Sequence, residues 1–71
     1  MAEIRATVTG SVWKILVSEG DDVSFGDEVA ILESMKMEMP VEAERNGKVA
    51  RILVEEGDSI QEDDPILELE E

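Results

Sequence analysis

Lys36 is the only basic residue in the stretch Glu33-Ser34-Met35-Lys36-Met37-Glu38-Met39-Pro40, where two thioethers flank its amine. The chain has no Cys and no His. Thiolate and imidazole metal sites are therefore excluded, as are Ser-His and Cys-His nucleophilic catalysis. Two acidic pairs, Asp21-Asp22 and Asp63-Asp64, have the residue type for a cation, but their setting is that of solvated turns. The lysine remains. It is either an amine set out for other proteins to reach, or an ordinary surface lysine between two gap-filling methionines. The elements that must hold it bear on that choice.

The chain repeats itself once. Gly10–Glu33 lies over Gly47–Glu70 at a constant offset of 37 residues without a gap. Val12/Val49, Ile15/Ile52, Leu16/Leu53, Val17/Val54, Glu19/Glu56, Gly20/Gly57, Asp21/Asp58 and Asp27/Asp64 are identical. The match extends back through Ile4/Val41 and Ala6/Ala43. Solenoids need about three repeats for stability, so two copies in 71 residues predict two similar halves packed face to face about a pseudo-twofold axis. Each half is β-structure by its short, β-branched runs, SVWKILV and KVARILV. EGDD and EGDS follow as turns in which Gly20 and Gly57 are free to take positive φ. The predicted fold is all-β, a flattened barrel or sandwich of two four-stranded antiparallel sheets. The domain spans residues 1–71, with copies about 4–33 and 41–70 joined by a hairpin tip at 34–40.

EVAILESMKMEMP is rich in helix formers, but the same slot in the second copy, PILELE, alternates apolar and acidic residues at period two. One fold must serve both copies, so the segment is extended. It is too long for one ordinary strand and must bend. A two-residue turn at Met35-Lys36 pairs Ser34 with Met37, Glu33 with Glu38, Leu32 with Met39 and Ala30 with Val41. That register puts Leu32, Met39, Ala30 and Val41 on one face; a shift of one residue would scatter them. Two local rules are broken here. Tight hairpins favour Asn-Gly or Asp-Gly because both turn residues need positive φ, and Glu33 faces Glu38 with like charge. Broken local rules point to function or strain. Symmetry places the tip at the end opposite both termini.

Composition limits the partners. Asp and Glu number 19 against 6 Lys and Arg, a net charge of −13. Nucleic-acid binding needs a basic footprint, and an anionic membrane surface is disfavoured for the same reason. No apolar run reaches the roughly 18 residues of a span, and no basic-then-apolar leader is present. The expectation is a cytoplasmic protein, monomeric on its own. The initial Met1 and the lack of a Pro/Ala-rich linker favour a stand-alone chain.

ESMKMEMP at the seam of this duplication closely resembles the biotinyl/lipoyl-carrier domains, most of all the small biotin/lipoyl attachment proteins and the biotin carboxyl carrier proteins. The resemblance covers essentially the whole chain. The family signature is Ala-Met-Lys-Met; here it is Ser34-Met35-Lys36-Met37. The thumb insertion of some acetyl-CoA carboxylase carriers does not fit in VSEGDDV. Lipoyl domains share the fold but lack the flanking methionines, so biotin is favoured over lipoate.

The resemblance implies a non-catalytic carrier with Lys36 as the cofactor-attachment residue. A biotin protein ligase would activate biotin as its adenylate, and the deprotonated Lys36 amine would attack to form an amide. Glu33, Ser34, Met35, Met37 and Glu38 would be the residues the ligase recognises. A biotin carboxylase and a carboxyltransferase would then share the swinging arm. The alternatives are lipoate on the same Lys36 and an unmodified lipoyl-like scaffold.

Overall fold

Strict alternation of side chains along a strand buries every second residue, and the chain departs from it at matched places in the two halves. Ile66 and Leu67 are both fully buried, as are Val29 and Ala30. The cause is a bulge. Ile4 pairs with Leu67 and Arg5 with Pro65, skipping Ile66; Ala30 pairs with Val41 and Glu28 with Glu42, skipping Val29. One extra residue in the strand lets two neighbours face the core. The period-two reading of PILELE therefore holds from Leu67 onward and fails at its start.

The computed structural model describes residues 2–70; the ends of the expected domain, Met1 and Glu71, lie outside the described residues. The strands are β1 (Ala2–Arg5), β2 (Gly10–Ile15), β3 (Asp22–Val23), β4 (Glu28–Ser34), β5 (Met37–Glu42), β6 (Gly47–Ile52), β7 (Ser59–Ile60) and β8 (Pro65–Glu70). They form two four-stranded antiparallel sheets, β1-β8-β6-β3 and β5-β4-β2-β7. Adding 37 to the residue numbers carries β1 onto β5, β2 onto β6, β3 onto β7 and β4 onto β8 within two residues, so each sheet is the other's symmetry mate. The hydrogen bonds repeat with the strands. Gly20 N donates to Val49 O at 2.8 Å and Gly57 N to Val12 O at 2.7 Å. Leu16 N donates to Val29 O and Leu53 N to Ile66 O. These bonds cross from one copy to the other or close each copy on itself, so neither half is a separate unit.

The core between the sheets contains Leu32, Leu67, Leu69, Val12, Val49 and Val41, each at most 2% exposed. Full burial of such a side chain contributes about 1.5–3 kcal/mol relative to exposure. No described polar or charged side chain is buried. The turns are held by acidic side chains. Asp21 Oδ2 accepts from Ser18 N at 2.8 Å and its mate Asp58 Oδ2 from Glu55 N at 2.9 Å. Gly20 and Gly57 take φ of 94° and 95°, a region costly for other residues. Of the two acidic pairs of the sequence, Asp21 and Asp64 hold turns, Asp64 Oδ2 accepting from Gln61 N at 3.0 Å, while Asp22 opens β3.

The tip lies at the opposite end of the domain from Ala2 and Glu70, the outermost described residues. Ser11, near the start of β2, pairs with Glu33 beside the tip. The chain leaving β2 reaches Gly20, which bonds to Val49. Val49 pairs with Leu69, and Leu69 with Ala2. β2 and the segment after it thus lead from the hairpin side to the place where Ala2 and Leu69 pair, in a domain whose longest extent is 33 Å.

Candidate functional site

Leu32, Ala30 and Val41 bury their side chains under the second sheet, and this fixes which way the β4–β5 hairpin faces. Its register is Ala30↔Val41, Ile31↔Pro40, Leu32↔Met39, Glu33↔Glu38 and Ser34↔Met37, the pairing expected from the sequence. Two residues remain for the turn, Met35 and Lys36, with φ of 53° and 64°. A two-residue loop with both residues at positive φ matches the right-handed twist of the flanking strands. Neither residue is glycine, so each carries a steric cost of roughly 1–2 kcal/mol.

The geometry sends the lysine out. Lys36 is exposed, and Met35 and Met37 are 92% and 59% exposed. The two methionines therefore do not plug the end of the barrel, as the packing alternative would require; they stand in solvent on either side of the amine. Met39, two residues on, is the methionine that turns inward and is partly buried. Glu33 and Glu38 face each other across the strands and are both exposed, which sets two carboxylates below the amine. At the summit the structure thus brings together Met35, Lys36 and Met37, with Glu33 and Glu38 one step down.

Ser34 behaves differently. Its hydroxyl donates to Thr9 O at 2.8 Å, tying the last residue of β4 to the chain just before β2. Thr9 Oγ1 in turn accepts from Glu62 N at 3.1 Å. The serine is partly buried and its polar atom is aimed inward, so it braces the base of the turn.

Gly10 is a further part of this brace that the sequence reading used only as a landmark of the repeat. A Cβ on Gly10 would lie 2.1 Å from Glu33 O, so β2 and β4 approach more closely there than any side chain permits. Its mate Gly47 meets Glu70 O at 2.7 Å. The signal was available: a glycine retained in both copies at a strand start marks close backbone approach. Trp13 sits at a bulge in β2, between the pairs Val12↔Leu32 and Lys14↔Ile31. It is 42% exposed, and its mate in the other copy is Ala50. The Lys14 amine lies 5.0 Å from its ring centre, a cation–π contact.

A sequence profile described as "Biotin-requiring enzyme" matches residues 1–69, tip and both copies included. The chain belongs to this biotin–lipoyl family. Among curated relatives, the biotin/lipoyl attachment protein of Bacillus subtilis is 50% identical over 43 residues, 61% of this chain and 59% of the relative. Biotinylated protein TB7.3 of Mycobacterium tuberculosis is 54% identical over 44 residues, 61% of this chain and 62% of the relative. The matched segment thus spans about 60% of the length of these biotin–lipoyl relatives. Among solved structures, the urea carboxylase of Kluyveromyces lactis superposes with a TM-score of 0.87 at 39% identity, over 93% of this chain and 6% of that one. A single-chain, multi-domain long-chain acyl-CoA carboxylase superposes with a TM-score of 0.87 at 32% identity, over 93% of this chain and 7% of that one. The all-β fold of the family, two four-stranded sheets about a pseudo-twofold axis, is therefore the fold of small segments within large carboxylases.

Proposed function

We propose that residues 1–71 act as one biotin carrier domain, with the cofactor attached as an amide to Lys36. The observation that carries this reading is the exposed lysine at the summit of a two-residue turn, in a chain of the biotin–lipoyl family. Nothing in the described chain folds over the tip, and Met35 is 92% exposed, so an enzyme can enclose the lysine from above. Attachment balances simply. The deprotonated Nζ attacks the acyl carbon of biotinyl adenylate, a C–N bond forms, the acyl–phosphate bond breaks and AMP leaves. Nζ gives up one further proton as it becomes the amide nitrogen. A biotin protein ligase supplies the base. One positive charge is lost, so the net charge falls from −13 to −14.

Once attached, biotin supplies the chemistry of carboxyl transfer; the chain's own residues supply position. The rigid hairpin holds the arm at the end away from the termini, and the domain acts as a non-catalytic carrier between a biotin carboxylase and a carboxyltransferase. The arm's tether keeps it at high effective concentration near both. Met35 and Met37 offer polarisable, adaptable contacts to these enzymes, and Glu33 and Glu38 offer charge. The acidic surface favours a monomer in the cytoplasm. No described helix is long and apolar enough to cross a membrane.

The test is intact mass and peptide mapping after co-expression with a biotin protein ligase. The expected gain is biotin less one water, on Lys36, and none for Lys36→Arg. A gain matching lipoate would move the assignment to the lipoyl alternative. No gain would support the scaffold alternative, and biotin on Lys14 or Lys48 would overturn the site.

A further inference from the structure

The chain has four methionines, and three of them, Met35, Met37 and Met39, stand at alternate positions around Lys36. It has no Cys, so thioethers are its whole sulfur. The hairpin sorts the three by access. Met35 opens the two-residue turn at φ 53° and is 92% exposed. Met37, the first residue of β5, is 59% exposed. Met39 is partly buried and pairs with Leu32, which is fully buried. The register sets this order. Ala30, Leu32 and Val41 seat the strands on the core, and Met39 faces inward with them. Met37 shares that face but lies two pairs further out, next to the turn.

Oxidation of a thioether follows access. Hydrogen peroxide transfers one oxygen atom: an S–O bond forms, the O–O bond breaks and water leaves. The sulfoxide is polar and chiral, and methionine-lined contacts are disrupted by it. A polarisable, adaptable side chain becomes a dipole that needs a hydrogen bond wherever it is enclosed. A methionine sulfoxide reductase reverses the step: two thiols become a disulfide, and the oxygen leaves as water. Position gives this chemistry its consequence. Consecutive Cα atoms are about 3.8 Å apart, so Met35 and Met37 stand immediately on either side of Lys36. An enzyme that encloses the amine must also cover both thioethers.

We propose that Met35 and Met37 form a reversible oxidation site that controls whether Lys36 is modified. As thioethers they admit the biotin protein ligase; as sulfoxides they oppose it. This rests on the reading of Lys36 as the modified residue. The fold stands outside the switch, because both side chains lie in solvent and neither supports the core. Met39 differs, since an oxygen on its sulfur would face the core beside Leu32.

The test begins with hydrogen peroxide added to the full, unmodified chain. Catalase removes the excess, and peptide mass assigns each added oxygen to its residue. Met35 and Met37 are expected to oxidise before Met39. With those two oxidised, Tm stays within about 4 °C of the parent, as for a change on the surface. Further oxidation at Met39 lowers it by more than about 4 °C, because a polar group enters a partly buried site. Transfer of biotin by purified biotin protein ligase is then measured. We expect kcat/KM for the carrier with both sulfoxides to fall at least about tenfold, the size of a lost interface anchor. Reductases for the two sulfoxide epimers, with a dithiol, restore it to within about twofold. Met35→Leu with Met37→Leu, compared with its own untreated rate, loses nothing to peroxide; a loss there would overturn the assignment to these two residues. Oxidation of Met39 ahead of Met35 and Met37 would overturn the ordering by access on which the site rests. Unchanged transfer to a folded carrier bearing both sulfoxides would overturn the switch while leaving Lys36 as the modified residue. Absence of transfer to the untreated chain would overturn both.

Discussion

The turn at Met35-Lys36 is expected to be a stability defect retained for function, and its size follows from backbone geometry. Both residues sit at positive φ, 53° and 64°. Lys36→Gly removes a steric cost of roughly 1–2 kcal/mol and adds back roughly 0.5–1 kcal/mol of chain entropy in the unfolded state. The net gain is about 0.5–1 kcal/mol. Met35→Asn places a residue that tolerates this region and adds about 0.5 kcal/mol. Little packing is lost, because Met35 is 92% exposed. The double variant should therefore be about 1–1.5 kcal/mol more stable than the unmodified parent. For a domain of this size about 1 kcal/mol shifts Tm by about 4–8 °C, so a rise of about 5–10 °C is expected. Thermal and urea unfolding followed by circular dichroism measure it, with an unchanged urea m-value showing that the same surface is exposed. The variant cannot accept biotin at position 36, which would separate the two demands on the turn. An equal or lower Tm would refute the reasoning, since it would mean that the parent turn carries no strain worth relieving.

The brace beneath the tip makes its own predictions. Gly10→Ala forces a Cβ to within 2.1 Å of Glu33 O and should cost about 1–3 kcal/mol, read as a lower urea midpoint. Gly47→Ala, facing Glu70 O at 2.7 Å near the chain end, should cost less, and the reverse order would contradict this account of the close approach. Ser34→Ala removes the bond to Thr9 O and should lower stability by about 0.5–1 kcal/mol, while ligase kcat for Lys36 stays near the parent value; a collapse of kcat at unchanged stability would make Ser34 a recognition residue after all. The net charge of −13 implies self-repulsion, so raising NaCl from about 0.01 to about 0.15 M, which shortens the Debye length from about 30 to about 8 Å, should raise Tm. A fall in Tm would show that the described ion pairs outweigh that repulsion.

Much of the site was legible from the sequence because it depends on two strong local signals. The constant offset between Gly10–Glu33 and Gly47–Glu70 imposed one fold on both copies and removed the helical reading of EVAILESMKMEMP. The spacing of Ala30, Leu32, Met39 and Val41 then left one register that buried them together, and that register left Met35 and Lys36 as the turn. The bulges at Val29 and Ile66 were not legible. A bulge is chosen by the sheet as a whole, where two successive apolar residues must both find the core, and nothing in PILELE alone distinguishes it from plain alternation. Ser34 was grouped with its neighbours by position in the motif; only its contact with Thr9, 25 residues earlier in the chain, separates a brace from a displayed group.

The sequence by itself determined the duplication, the β-class, the hairpin register and the residue at its summit, since each follows from periodicity and side-chain chemistry along the chain. The tertiary structure decided which residues support that summit. Gly10 against Glu33 and Ser34 against Thr9 are juxtapositions of segments far apart in sequence, created when two sheets close on a shared core. A linear pattern carries the faces of its own strands, but the distance between two strands is set by what packs between them.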